Sequence, residues 1–289
     1  MAIVQAPATK TQNKGGQAAR EAKQASQSPL MQDLTRYGYV ARGILFIVIG
    51  YLALQLALGR SDQPPDQTGA LAAIAQQPFG KTLLIVVMIG LIGYSLWGFV
   101  RAIFDPLHRG RDTGGIAQRL GFVVSGVSYG VLVIPAYQIV SGANSQPKSS
   151  TQKTQDITAQ IMQQPWGPWL VALVGLLVIV WALWQLYTAY TDKFEVDFKS
   201  QVMTSLERKW AEPVGRIGIG ARALVFLLVG AFLLQAGLQH NPQQAVGLDG
   251  ALFALLQLSD GPRLLMFAGL GLIVFGIYSI LAARWMDVT

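Results

Sequence analysis

The sequence predicts an all-α integral membrane protein. Its six transmembrane helices form three tandem two-helix repeats in a pseudo-threefold arrangement, with both termini cytoplasmic. Three observations predict this. Apolar residues are gathered into six long blocks, a short phrase recurs ahead of every second block, and cations fall mostly on one side of the blocks.

Of the 289 residues, 52% are hydrophobic and 13% charged, against roughly 25% charged in a soluble domain. Mean hydropathy is +0.40. The blocks lie at about 37–58, 82–101, 120–141, 168–190, 217–238 and 264–284, and none holds an acidic residue in its interior. About 20 such residues cross a bilayer's hydrocarbon core, whereas a soluble helix would keep a polar stripe. The net charge of +7 therefore reads as the positive-inside bias of a bilayer protein, and no nucleic-acid partner is expected. The absence of cysteine excludes disulfides, thiolate catalysis and cysteine-ligated metals. It leaves the redox compartment open.

Residues 1–33 are rich in Ala, Gln, Lys and Ser, with no apolar run of signal-peptide length. They read as a disordered cytoplasmic tail, with Lys10, Lys14, Arg20 and Lys23 either solvated or touching anionic lipid. The membrane domain follows over 34–286, with repeats at about 34–107, 117–194 and 214–286. Its first helix opens on RYGYVARG at Arg36, its third on RLGFVVSG at Arg119 and its fifth on RIGIGARA at Arg216. Aligning these arginines brings Gly38, Gly121 and Gly218 into register, and likewise Gln55, Gln138 and Gln235. Over 24 positions the first and third copies share nine identities, and the first and second share eight.

The second half of each unit repeats as well. GALAAIAQQPFG from Gly69, DITAQIMQQPWG from Asp156 and GALFALLQLSDG from Gly250 align without gaps. Each runs into an apolar span, and Trp97, Trp184 and Tyr278 fall at one equivalent position near the spans' ends. Asp66, Asp156 and Asp249 stand before or at the starts of these segments, where an N-cap would sit. Each segment reads as a short helix in the outer interface or as an irregular loop. Since every unit has two spans, all three point the same way, and parallel repeats are related by an axis along the membrane normal.

The pattern R-x-G-x-x-A-R-G-x-x-[FY] from Arg36 to Phe46, with its GAL linkers, resembles the bacterial membrane family catalogued as domain of unknown function 1206. The resemblance covers roughly residues 34–286. The second copy departs from it, with Ser125 in place of the second arginine and Ile157 and Thr158 breaking the GAL phrase. The family implies a six-span protein of the bacterial inner membrane. It implies no activity, so no catalytic residue is carried over.

Seventeen of the 22 lysines and arginines lie on the side of the termini and of the second-to-third and fourth-to-fifth connections. The other five are Arg60, Lys81, Lys148, Lys153 and Arg263. This split places both termini in the cytoplasm.

Candidates for chemistry are few. His108 and His240 lie on opposite sides of the membrane and share no metal. GRIGIGARA matches neither phosphate-loop pattern, no Ser-base-acid set is visible, and no cofactor is expected. Gly126 and Gly130 suit close helix packing. The stretch from Glu195 to Gly215 carries Phe198, Val202, Leu206 and Trp210 at helical spacing. It reads as an amphipathic connector over 195–213, lying on the membrane surface or binding a protein partner.

The polar positions singled out are Arg36, Arg42, Arg119, Arg216, Arg222, Gln55, Gln138 and Gln235. Arg42 and Arg222 follow their opening arginines by six residues, about 9 Å deeper. They either snorkel or face the bundle interior, with Asp105 a candidate partner for Arg42. The three glutamines lie near the outer edge of the hydrocarbon core. They either bond the backbone of the outer segment that follows or form a ring of amides at an outer mouth. The favoured function is a non-enzymatic structural or regulatory membrane component. The alternative is a transporter or channel for a small neutral or weakly polar solute.

Reporter fusions after Gly59, Ala143 and Asn241 are expected to signal outside, and fusions after Asp112 and Asp197 inside. Reversed signals at the two central connections would defeat the three-hairpin arrangement.

Overall fold

The structure is a computed structural model that describes residues 29–104, 113–142, 148–191 and 204–285. The tail cations, Asp105, His108, Phe198 and Val202 lie outside the described residues, as does the side chain of Leu206. The described residues contain no strand. Six helical stretches are long and apolar enough to cross a membrane, so the chain is a multi-pass membrane protein.

The first crossing, α1, spans Pro29–Ala57. It starts inside the stretch read as tail, with proline's fixed φ suiting a first turn. The short α2 (Gln67–Ala75) follows, then the second crossing α3 (Gly80–Phe104). The third crossing is not one helix but two, α4 (Thr113–Val131) and α5 (Val133–Ser141). Pro135 has no N–H to offer the carbonyl four residues back, so the ladder breaks one turn before it. Next come α6 (Ser150–Met162) and the fourth crossing α7 (Gly167–Tyr190). The fifth crossing, α8, runs over Ser205–Leu238 and absorbs part of the expected surface connector. Residues 205–213 continue the membrane helix because fully buried Ala211 and neighbouring Val214 dock this extension on the core. The short α9 (Leu248–Leu256) and the sixth crossing α10 (Gly261–Trp285) complete the chain.

Packing follows a cyclic rule. The second crossing of each repeat lies against the first crossing of the next: α3 on α4, α7 on α8, and α10 on α1. Within repeats, α1 packs on α3 and α8 on α10, but α4 and α7 do not pack along their lengths. The ring of six crossings is therefore open on that side.

Equivalent residues make equivalent contacts at the three inter-repeat seams. The residue ten places beyond each opening arginine meets one aromatic of the preceding helix edge to face. Phe46 meets Phe275 at 4.8 Å, Tyr129 meets Tyr94 at 4.6 Å and Phe226 meets Trp181 at 5.4 Å between centroids. Glycines let the backbones approach. A Cβ on Gly276 would stand 2.6 Å from the Gly43 carbonyl oxygen, and one on Gly175 would stand 2.9 Å from that of Gly230. On the third seam Ser95 Oγ donates to Gly126 O at 2.7 Å.

The starts of the three short helices converge on the other face of the bundle. Asp66 caps α2, accepting from Gly69 N at 2.6 Å, and its second oxygen accepts from Ser150 N at 2.6 Å. Asp249 accepts from Ser150 Oγ, Thr151 N and Thr151 Oγ1 at 2.7, 2.9 and 2.7 Å. Burial raises the Asp66 carboxyl above its ordinary range. Burial pushes Asp249 the same way, but the hydroxyls of Thr151, Ser150 and Ser149 outweigh it and hold that carboxyl low.

Of the three expected N-caps, only Asp66 is one. Helix α6 starts earlier, at Ser149, whose capping box with Gln152 satisfies the orphan N–H groups. Asp156 sits within that helix and pairs with Lys148 at 2.6 Å. Asp249 lies in the first turn of α9, behind Gly247.

Gly276→Val is expected to lower the thermal stability of the detergent-solubilised protein by about 1–3 kcal/mol through overpacking against α1. Gly220→Ala meets nothing within 4 Å and is expected to gain about 0.5–1 kcal/mol from helix propensity. Parallel thermal unfolding checks both, and equal effects would contradict the seam geometry.

Candidate functional site

Three arginines enter the bundle interior. Arg42 stands midway along α1, only 8% exposed. Its Nε donates to Ser279 Oγ at 2.7 Å, and a terminal nitrogen donates to the Tyr94 hydroxyl. Ser279 Oγ in turn donates to the Tyr39 carbonyl at 2.9 Å. The Arg42 guanidinium carbon lies 4.6, 5.0 and 5.2 Å from the ring centroids of Tyr39, Tyr94 and Phe275. It therefore faces inward rather than snorkelling.

Arg222 holds the equivalent place on α8. A terminal nitrogen donates to Gln185 Oε1 on α7. Its guanidinium carbon lies 4.5 Å from the Phe275 centroid, 5.4 Å from Trp181 and 5.7 Å from Phe226. Arg42 and Arg222 thus address the same ring, Phe275. In the second repeat the matching position is Ser125, and Gly98 stands where α7 has Gln185 and α10 has Ser279. Arg101, at the end of α3, occupies that sector instead. It is 4% exposed, donates to the Tyr39 hydroxyl at 3.3 Å and lies 4.1 Å from the Phe122 centroid.

The electrostatics of this core are one-sided. The ion pairs among the described residues join Arg36 to Asp33, Lys148 to Asp156, Arg216 to Glu212 and Arg263 to Asp260. None involves the three interior arginines. Aromatic faces take the place of carboxylates, each contact contributing about 2 kcal/mol or more once desolvated. The unpaired buried atoms of this region are Arg222 Nε, Gln185 Nε2, Arg101 Nε and Trp97 Nε1, and every one is an N–H donor. No group of His, Cys, Asp and Glu able to hold a metal occurs among the described residues. His240 is exposed in a loop, its Nδ1 3.3 Å from the Leu238 carbonyl oxygen.

The other sequence candidates lie apart from this core. Arg36 and Arg216 are exposed and pair with Asp33 and Glu212 on their own helices. Arg119 caps α3, donating to the Ala102 and Ile103 carbonyls at 2.7 and 3.1 Å, a good use of a cation at a helix C-terminus. The glutamines do not act alike. Gln55 donates to Tyr51 on its own helix, not to the outer segment. Gln138 is half-buried in α5, and Gln235 is exposed. Neither the loop-fixing role nor an even amide ring emerges, because the broken third crossing and the helix rotations give the three positions different surroundings.

Sequence reasoning missed Arg101, Gln185, Ser279 and the aromatic triad Tyr94, Trp181 and Phe275. A signal for the triad was present: each of its members stands three residues before the noted Trp97, Trp184 or Tyr278.

Comparison with known proteins adds a family and a relative. The family model described as Domain of Unknown Function (DUF1206) matches residues 37–105, 120–192 and 217–286. The uncharacterized protein YxxB of Bacillus subtilis (strain 168) is 33% identical over 261 residues, covering 90% of this chain and 93% of that protein. No solved structure matches the chain.

Arg42→Ala is expected to cost about 2–4 kcal/mol of stability in detergent, through lost ring contacts and stranded hydroxyls. Arg36→Ala, which removes only an exposed pair, is expected to change it by less than about 0.5 kcal/mol. Equal melting temperatures for the two variants would refute the interior role of Arg42.

Proposed function

Because the chain belongs to the family of Domain of Unknown Function (DUF1206), whose description names no activity, we propose a function from the chemistry of its own core. The protein is a non-enzymatic structural or regulatory component of the bacterial plasma membrane, with both termini cytoplasmic. Its working part is the arginine–aromatic core. The observation that carries this reading is the burial of Arg42 and the partial burial of Arg222 among the crossings with no carboxylate partner among the described residues. A charge kept within a membrane at such cost marks the part of a protein that acts.

Three further features support the reading. The core's polar groups among the described residues are guanidinium, amide, hydroxyl and indole, a set suited to holding crossings together through hydrogen bonds and ring contacts. The Bacillus relative suits a bacterial membrane, and the cation split of 17 to five suits cytoplasmic termini. Trp210, in the extension of α8 that belongs to the stretch from Glu195 to Gly215, is 62% exposed and suits a partner contact on the cytoplasmic side.

Reconstitution into liposomes tests this reading against solute transport. A panel of uncharged solutes, including glycerol, urea and glucose, is expected to equilibrate no faster than in protein-free vesicles. Protein-dependent flux of any of them would favour the transporter alternative.

A further inference from the structure

We propose that the junction of Asp66, Ser150, Thr151 and Asp249 is a proton-operated latch, which grips the start of α6 most tightly when one of its two carboxyls is protonated. Two repeats each send one carboxyl to the same residue of the third. Ser150 donates its N–H to Asp66 at 2.6 Å and its hydroxyl to Asp249 at 2.7 Å. The grip is mutual, because Thr151 Oγ1 accepts from Gly247 N and Gly250 N at the start of α9, at 2.9 and 3.1 Å. The short helices fall between paired crossings, so the latch lies on the face away from the start of α1 and the end of α10.

The charges at this junction do not balance. Asp66 is 0% exposed, and neither carboxyl makes an ion pair among the described residues. Lys153 on α6 is half-buried and attracted to both, yet its ammonium donates to Thr68 Oγ1 at 3.0 Å. The other charged side chains of the neighbouring elements turn away. Lys148 pairs with Asp156 and Arg263 with Asp260, while Arg60, Asp62, Lys81 and His240 are exposed. The halves of α1, α5 and α8 that reach this face carry no carboxyl, amine or guanidinium. Two carboxylates and one ammonium leave one negative charge in excess, and a single proton cancels it. Like charges sharing a dry site favour that outcome.

The proton belongs on Asp66. Burial raises its carboxyl, outweighing the N–H groups of Gly69 and Ser150, and the Asp249 charge raises it further. Burial pushes Asp249 up as well, but the hydroxyls of Thr151, Ser150 and Ser149 hold it below the ordinary range. A neutral carboxyl still accepts N–H bonds, so protonation removes the buried charge and leaves the clasp its acceptor. A carboxyl raised by folding adds stability that is full below the ordinary carboxylate range and is lost as pH rises through its folded value. A carboxyl held low adds stability that is lost as pH falls below that range. The grip is therefore greatest within the ordinary carboxylate range and loosens on both sides of it. Burial lowers the Lys153 ammonium, whose contribution changes just below the ordinary lysine range, away from this window.

The experiment uses the full chain in a maltoside detergent at constant ionic strength. Melting temperature is read from about pH 7.5 down to about pH 4.5. Deuterium exchange into the α6 peptide is read at the same points, corrected for the intrinsic pH dependence of exchange. Tm is expected to rise by about 2–4 °C on acidification, and exchange in the peptide to slow several-fold. Asp66→Ser keeps a cap for Gly69 N but has no proton to gain, and is expected to lose both gains. Lys153→Gln keeps a donor for Thr68 and removes the cation. Asp66 then takes its proton at higher pH, so both gains are expected to set in nearer neutrality. Asp156→Asn, which removes only an exposed pair, is expected to leave the profile unchanged. A wild-type profile that is flat or falls on acidification overturns the proposal. So does a gain that persists in Asp66→Ser, or an onset that Lys153→Gln leaves in place. If Asp66→Ser does not fold, Lys153→Gln still decides.

Discussion

The rest of this structure depends on one constraint, which is that a guanidinium held inside a membrane bundle must be satisfied without water. Burying a lone charge is prohibitive unless partners surround it. Here the partners are rings and hydroxyls. Arg42 touches Tyr39, Tyr94 and Phe275 and bonds Ser279. Arg222 touches Phe275, Trp181 and Phe226 and bonds Gln185. Tyr39 and Phe226 lie one turn away on the arginines' own helices, but Tyr94, Phe275, Ser279, Trp181 and Gln185 sit on other crossings, so the arginines help fix which crossings become neighbours.

That demand explains the division of labour along each seam. Large aromatics at one level hold the charges, while glycines at adjacent levels let the backbones close around them. Small residues drive association in lipid because there is little hydrophobic gain in moving a leucine from lipid to protein. Of the three seams between repeats, those where α10 meets α1 and α7 meets α8 carry Arg42 and Arg222. The polar clasp of Asp66, Ser150, Thr151 and Asp249 ties the three repeats together at the other end of the bundle.

Symmetry is kept where packing needs it and abandoned where charge does. The edge-to-face pairs recur at all three seams. The arginine recurs at only two, and the second repeat replaces it with Ser125 while Arg101 enters from the helix end. The same repeat carries Pro135, the broken crossing and the open side between α4 and α7. One degenerate repeat in three leaves the core asymmetric and the ring of crossings open on one side.

The sequence by itself determined the six crossings, the threefold repeat and the arginines that break the apolar runs. Each is a local property: run length against bilayer thickness, register along the chain, and a charge among apolar neighbours. It also located the short helices between the crossings of each repeat, though not all of their caps, since Ser149 wins over Asp156 only through the bonds it makes. What Arg42 and Arg222 touch was decided by tertiary structure alone. Ser279 stands 237 residues from Arg42 and Gln185 stands 37 from Arg222. No pattern along the chain says which face of α10 or α7 turns inward, because in an all-apolar helix every face is equally fit for lipid. The glutamines show the converse: they are identical in register, yet differ in surroundings once Pro135 breaks one helix and packing rotates the others. Register fixes which residues are equivalent in the chain, and only the packed bundle fixes what each of them meets.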